Sequence, residues 1–303
     1  WTETCWFTFA VPERRLSAQL YPFFRPNQGV AAGACFVWDE HGSQPWNALY
    51  GKNFWHLPMP QGQDLTDLSL SNGWRLKCLE PLSTYELHYL DPDAQELEIQ
   101  LVFRAICPPN YLGESHLDQP GRFTGTIRLR EETIPVDAFG FRDRSWGSRD
   151  QFGADLAHSG APRGGYSYGT QDEQNAFHAI TMEYGGDCVV IHGYLLRDGV
   201  YAKLASGKRE VLEREAGLGC PTRVQLTAID EQGRELEASG RCLNRLGVHL
   251  NPNLFTWNCL TDWRFDGARG HGEDHDNWSA SAARSFFRAE LGHPAGTEGG
   301  ARA

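Results

Sequence analysis

Short runs of aromatic and β-branched residues, each closed by glycine, proline, asparagine or aspartate, follow one another along the chain, and this pattern constrains the fold more than any other feature. Such runs are too short for a stable helix but suit a pleated, half-buried surface. They occur at Ser17 to Arg25, Ala34 to Asp39, Gly73 to Glu80, Glu96 to Ala105, Phe123 to Leu129, Asn175 to Tyr184, Asp187 to Leu196, Arg223 to Ile229 and Phe255 to Trp263. Alternation at Leu97, Ile99, Leu101 and Phe103, and again at Val224, Leu226 and Ala228, predicts antiparallel strands with one buried face. Trp1 to Phe9 alternates in the same way. Helical spacing is confined to about Ser279 to Leu291, where Ala280, Ala283, Phe286, Phe287 and Leu291 share a side. The predicted fold class is therefore mainly β, with antiparallel barrels or sandwiches and one C-terminal helix.

At 303 residues the chain is about twice the roughly 150 of an average domain, so two β modules are expected. The best break lies at His116 to Gly121, where His-Leu-Asp-Gln-Pro-Gly interrupts two extended patterns. That places an N-terminal barrel over 1–120, a C-terminal barrel with its helix over 121–291, and a disordered tail over 292–303. Asp150 to Gly165, rich in glycine, alanine and serine, reads as a long functional loop. Against 28 basic residues stand 39 acidic ones, a net charge of −11, which argues against a partner bound through its phosphate backbone, so no nucleic acid is expected. No stretch of apolar residues is long enough for a transmembrane helix, and no secretory leader pattern opens the chain. Eight cysteines lie mostly in apolar runs without a Cys-x-x-Cys pair, which leads to the expectation of free thiols in a cytoplasmic protein.

The densest polar and aromatic segment is Val136 to Arg149. In a regular strand Asp137, Phe139, Phe141, Asp143 and Ser145 share one face and Arg142, Arg144 and Trp146 the other. Asp143 beside two phenyl rings would lose hydration and keep its proton at higher pH, which equips it to act as an acid. The same spacing also fits an ion pair between Asp143 and Arg142, Arg144 or Arg149 that pins a turn.

Gly140-Phe-Arg-Asp-Arg-Ser-Trp-Gly147 resembles the Gly-(Tyr/Phe)-(His/Arg)-Asp-(His/Arg)-x-Trp-Gly signature of the AttH-like superfamily, which includes acyclic carotenoid 1,2-hydratases (hydroxyneurosporene synthases). Leu20 to Gly29, His116 to Gly121 and Gly270 to Trp278 are similar to segments of uncharacterised relatives with the same two-part arrangement. The resemblance covers most of residues 1–290. It implies two packed lipocalin-like barrels around a ligand cavity, an apolar substrate and no redox cofactor; tocopherol cyclases and decalin-forming Diels-Alderases belong to the same superfamily. Asp143 takes the place of the motif's acidic residue and Trp146 that of its tryptophan. The flanking positions, often histidine in the signature, are Arg142 and Arg144, and an arginine cannot relay protons.

Tyr166 and Tyr168 fall on one face of a strand, and His178 alternates with Ile180, Met182 and Tyr184 on the next. These hydroxyls and this imidazole could orient water or a substrate oxygen, or could simply fill a barrel wall. The candidate catalytic set is thus Asp143, Tyr166, Tyr168 and His178, and Phe139, Phe141, Trp146 and Arg142 are the candidate substrate contacts. His271, Glu273, Asp274, His275 and Asp276 lack a metal-binding spacing and read as a solvated loop, with Asp276 or Asn277 capping the helix and Trp278 anchoring it. No Gly-x-Ser-x-Gly elbow, phosphate loop or dinucleotide fingerprint occurs, so no metal, nicotinamide or flavin is expected. The function expected is cofactor-independent acid-base chemistry on a hydrophobic isoprenoid, steroid or polyketide-like small molecule, with alkene hydration or dehydration first. A cyclase or isomerase of the Diels-Alderase kind, or a non-catalytic carrier, is the alternative.

Overall fold

The computed structural model describes residues 1–148, 162–251, 253–290 and 292. Eleven strands form the first sheet: β1 (Thr2–Val11), β2 (Leu16–Arg25), β3 (Val30–Trp38), β4 (Tyr50–Pro58), β5 (Asp67–Ser69), β6 (Trp74–Glu80), β7 (Thr84–Leu90), β8 (Leu97–Ala105), β9 (Asn110–Leu112), β10 (His116–Leu129) and β11 (Glu132–Gly147). Nine form the second: β12 (Arg163–Asp172), β13 (Asn175–Tyr184), β14 (Asp187–Arg197), β15 (Val200–Arg214), β16 (Pro221–Asp230), β17 (Glu235–Cys242), β18 (Leu246–Asn251), β19 (Leu254–Phe265) and β20 (Ala268–Ser279). Among the described residues one α-helix, α1 (Ala280–Glu290), follows. Among the described residues all strand pairings are antiparallel; the alternating runs 97–103 and 224–228 lie within strands, and Trp1 to Phe9 does so from Thr2.

The two sheets differ in closure. Pairing of β17 with β19 closes the second into an eight-stranded barrel, with β18 added outside. The first begins at β4 and ends at β5 without joining them, so it is a curled sheet rather than the closed barrel expected. A cleft of about 390 Å³ lies in this region, lined in part by Phe24, Met59, Leu65, Leu68 and Arg144.

The expected boundary near Gly121 falls inside β10, and both β10 and β11 belong to the first sheet; the division between sheets comes after Gly147. Pro120 misleads because its missing N–H disturbs no ladder: β9 pairs with residues 116–118 of β10 and β8 with residues 121–129, and Pro120 stands between them. Residues 150–161 of the expected loop lie outside the described residues, whereas Arg163, Gly164 and Gly165 are strand. The tail beyond Gly292 also lies outside them.

Gly270 to Trp278 is strand β20, not a solvated loop. Gly272 permits it: a Cβ there would lie 1.9 Å from the Tyr168 carbonyl oxygen, so β12 and β20 could not approach as they do. Asp276 and Asn277 are strand residues and do not cap the helix; Ser279 Oγ accepts from the Ala282 N–H at 3.4 Å. Trp278 does anchor α1, packing on Phe286 and Phe287 at ring separations of 4.8 and 5.6 Å.

Strand alternation sends each sheet's residues to two different cores. Phe7, Phe9, Phe103, Phe123, Ile134 and Val136 fill the hollow of the first sheet. Phe177, Ala179, Leu195, Leu226, Trp263 and Phe265 fill the lumen of the barrel. A third cluster, with Trp6, Phe141, Tyr166, Tyr168, Tyr194 and Leu196, joins the outer faces of both sheets. All eight cysteines are free, and among the described residues no helix is long and apolar enough to cross a membrane.

Candidate active site

Where the two outer faces meet, polar side chains gather on an aromatic floor. The register sets Trp6, Asp143, Asp118 and Asn110 in one row across β1, β11, β10 and β9. The second sheet opposes this row with Tyr166 and Tyr168 of β12, His178 of β13, and His192 and Tyr194 of β14. Asp118 is the hub. Tyr166 donates its hydroxyl to Asp118 Oδ1, while Oδ2 lies 2.9 Å from His116 Nε2, 3.2 Å from His192 Nε2 and 3.7 Å from His178 Nδ1. Behind these, His116 Nδ1 meets Ser145 Oγ at 2.6 Å, Asn110 Nδ2 meets His192 Nε2 at 3.0 Å, and the Tyr201 hydroxyl donates to Asn110 Oδ1 at 2.7 Å.

Burial and charge set the protonation states. Burial works to raise the Asp118 carboxyl, but the adjoining His178 and His116 and the bonds from His116 and His192 outweigh it and hold the group well below the usual carboxylate range. Burial pushes the His178 imidazole down to about 3 against the pull of Asp118. Burial, then the Asp118 and Asp143 carboxyls, raise the Tyr166 phenol well above its ordinary value. At neutral pH the site therefore holds an ionised Asp118, a neutral His178 and a protonated Tyr166.

Of the sequence candidates, the structure brings Asp143, Tyr166, Tyr168, His178 and Phe141 together. Half-buried Asp143 lies beside Asp118 and His116, the donor atoms of all three within 4.8 Å of one another. Phe141 stacks on Tyr168 at 4.6 Å and lies 4.9 Å from the His178 ring. Phe139 is half-buried and outside this ring cluster. Arg142 is not at the site: it points into the hollow of the first sheet, its guanidinium 4.4 Å from the Tyr85 ring centre and hydrogen-bonded to Gln119. Trp146 follows the same parity and stacks under Arg144 at 5.1 Å. Arg149 lies outside the described residues.

Sequence reasoning missed Asp118, His116, His192, Asn110 and His275 as site residues. His116 and Asp118 stand two apart, the signature of one strand face, but the neighbouring Pro-Gly masked it. His275, read as part of a loop, bonds Glu273 at 2.7 Å and packs on Trp6 and Tyr166 at 5.2 and 5.5 Å. Thr8 bonds Glu273 from the first sheet, and Asn258 reaches Gln19 at 3.2 Å, so the seam around the site is buried but hydrogen-bonded.

An open curled sheet packed on a closed barrel makes this a two-part lipocalin-like fold. The chain belongs to the family described as "Domain of unknown function (DUF7064)", whose model matches residues 1–279. The chain is similar in structure to kievitone hydratase from Nectria haematococca (TM-score 0.56, 9% identity, covering 93% of this chain and 90% of that one). It is also similar to CghA (TM-score 0.53, 12% identity, covering 92% and 88%). No curated protein matches the sequence. The fold is the two-part lipocalin-like arrangement that the AttH-like resemblance implied, with one barrel closed and the other a curled half-barrel sheet.

Proposed function

We propose that the protein is a hydro-lyase that adds water to, or removes it from, an alkene in an apolar isoprenoid, steroid or polyketide-like molecule. The observation that carries this reading is the buried carboxylate Asp118, bonded by Tyr166 and ringed by His116, His178 and His192 against Phe141, Tyr168 and Trp6. Such a cluster holds and moves protons beside surfaces that favour an apolar, transiently cationic substrate. The fold it shares with a protein named kievitone hydratase supports the same reaction type. A carrier fits less well, because side chains occupy the barrel lumen that would be its container.

In the forward direction the Asp143 carboxyl gives its proton to one alkene carbon. Charge develops on the other carbon, where ring faces stabilise it. A water held by the imidazoles or Tyr166 adds its oxygen there, and the proton it loses returns to Asp143, so the net change is addition of one water. Asp118 acts beside Asp143: two neighbouring carboxyls share one proton more readily than they carry two charges.

The test is turnover of a panel of alkenes and tertiary alcohols of these classes, with Asp143→Asn. Turnover should fall by about 10² to 10⁴ while ligand affinity changes little. Asp137→Asn is the control, since Asp137 is exposed and bonded to Arg122 at 2.6 and 2.9 Å. A folded Asp143→Asn variant with normal turnover refutes Asp143 as the donor. Products that are rearranged or ring-closed without uptake of solvent oxygen replace the hydro-lyase by an isomerase or cyclase.

A further inference from the structure

We propose that Asp118, His178 and His192 form a binding site for one divalent transition-metal ion of the zinc or iron(II) class. The proposal does not depend on the reaction above, although the site is shared. Two imidazole nitrogens and a carboxylate oxygen are a donor set that such ions take and that calcium or magnesium does not favour. All three side chains are buried, and their donor atoms lie within 4.8 Å of one another. Asp118 Oδ2 is 3.2 Å from His192 Nε2 and 3.7 Å from His178 Nδ1. Ligands about 2.0–2.1 Å from a common ion stand that far apart at angles of roughly 100–130°.

His178 is the independent sign. It is fully buried, and among the described residues neither of its ring nitrogens has a hydrogen-bond partner. A buried imidazole left so is unfavourable, and here its Nδ1 lies 3.7 Å from the Asp118 carboxylate, beyond hydrogen-bond reach. An ion between the two would engage both. The groups behind Asp118 are those that metal sites use for orientation: Tyr166 and His116 hold its carboxylate, while an ion at His192 Nε2 would take the lone pair that Asn110 Nδ2 engages at 3.0 Å. The three ligands stand far apart in sequence on three strands, so no motif announces them.

The test uses the whole chain, stripped with chelator and re-equilibrated with cobalt(II) chloride. It should retain about one cobalt per chain and show the visible absorption of an ion bound by nitrogen and oxygen. His178→Ala and His192→Ala should each weaken retention by ~10²-fold or more. Asp137→Asn should leave retention unchanged. X-ray absorption on the unmodified protein gives a second reading that needs no variant, with imidazole scattering expected around the metal. Cobalt lost on desalting, a metal shell without imidazole, or retention undiminished in folded His178→Ala and His192→Ala variants overturns the site. Retention is read without substrate, so its failure leaves the hydro-lyase reading intact, and failure of every alkene to react leaves the retention result intact.

Discussion

Asp118 has no exposure to solvent, and a carboxylate survives there only because donors surround it. Tyr166 reaches it across the seam between the sheets, so this bond serves both the site and the packing. Tyr166→Phe keeps the ring, which packs on His178 at 4.5 Å, and removes only the hydroxyl. The loss of one bond to a charged group should cost about 1.5–3 kcal/mol, measured by urea unfolding, together with a fall in turnover. An unchanged midpoint would mean that another donor already satisfies Asp118. Asp143, Tyr166, Tyr168 and His178 were legible in the sequence because each stands in a run whose alternation is plain. Asp118 was not, because proline and glycine beside it carry the ordinary meaning of a turn, and only the pairing of neighbouring strands shows that this proline interrupts no ladder.

The placement of His192 is decided by an irregularity in β14. Ile180 pairs with His192 but Thr181 with Val190, so Ile191 is an extra residue, and the bulge lets Val190 pack against the lumen core while His192 faces the site. In a regular strand, alternating through Ile191 without a bulge, Val190 and His192 would share a face. Gly193 beside the bulge has φ +154°, and a Cβ there would meet the His178 carbonyl oxygen at 2.1 Å. Gly193→Ala should therefore destabilise the protein by at least about 1–3 kcal/mol and displace His178 and His192 together. Thermal unfolding and turnover check this; a variant stabilised by the smaller entropy of its unfolded chain would show that the close approach is not required. The bulge was invisible to a reading based on period two, which assumes unbroken alternation.

Across the molecule, the barrel lumen carries charge as well as apolar packing. Arg209 bonds Asp274 through two nitrogens and Asp276 at 3.2 Å, and Arg214 bonds Asp276 at 2.6 Å. Burial acts to raise the Asp276 carboxyl, but Arg209 and Arg214 prevail and lower it. A carboxyl lowered in the folded state adds stability that is fully present above its unfolded value, about 3.9, and is lost as pH falls through the folded value. The whole protein should therefore lose stability as pH falls below about 4–5, followed by circular dichroism in urea at a series of pH values. Asp276→Asn should flatten that slope while lowering stability at neutral pH. An equal slope in both proteins would assign the acid sensitivity elsewhere.

Local pattern alone determined the β class, most strand positions, the C-terminal helix and the face that Asp143 shares with Phe141, because side-chain alternation is a property of a few consecutive residues. Closure of one sheet and not the other, the division after Gly147, and the meeting of Asp118, His116, His178 and His192 were decided by tertiary structure. These depend on which strand pairs with which and in what register, and register couples residues that are distant in the chain. The site arises only where the outer faces of two sheets are pressed together, and neither face by itself contains it.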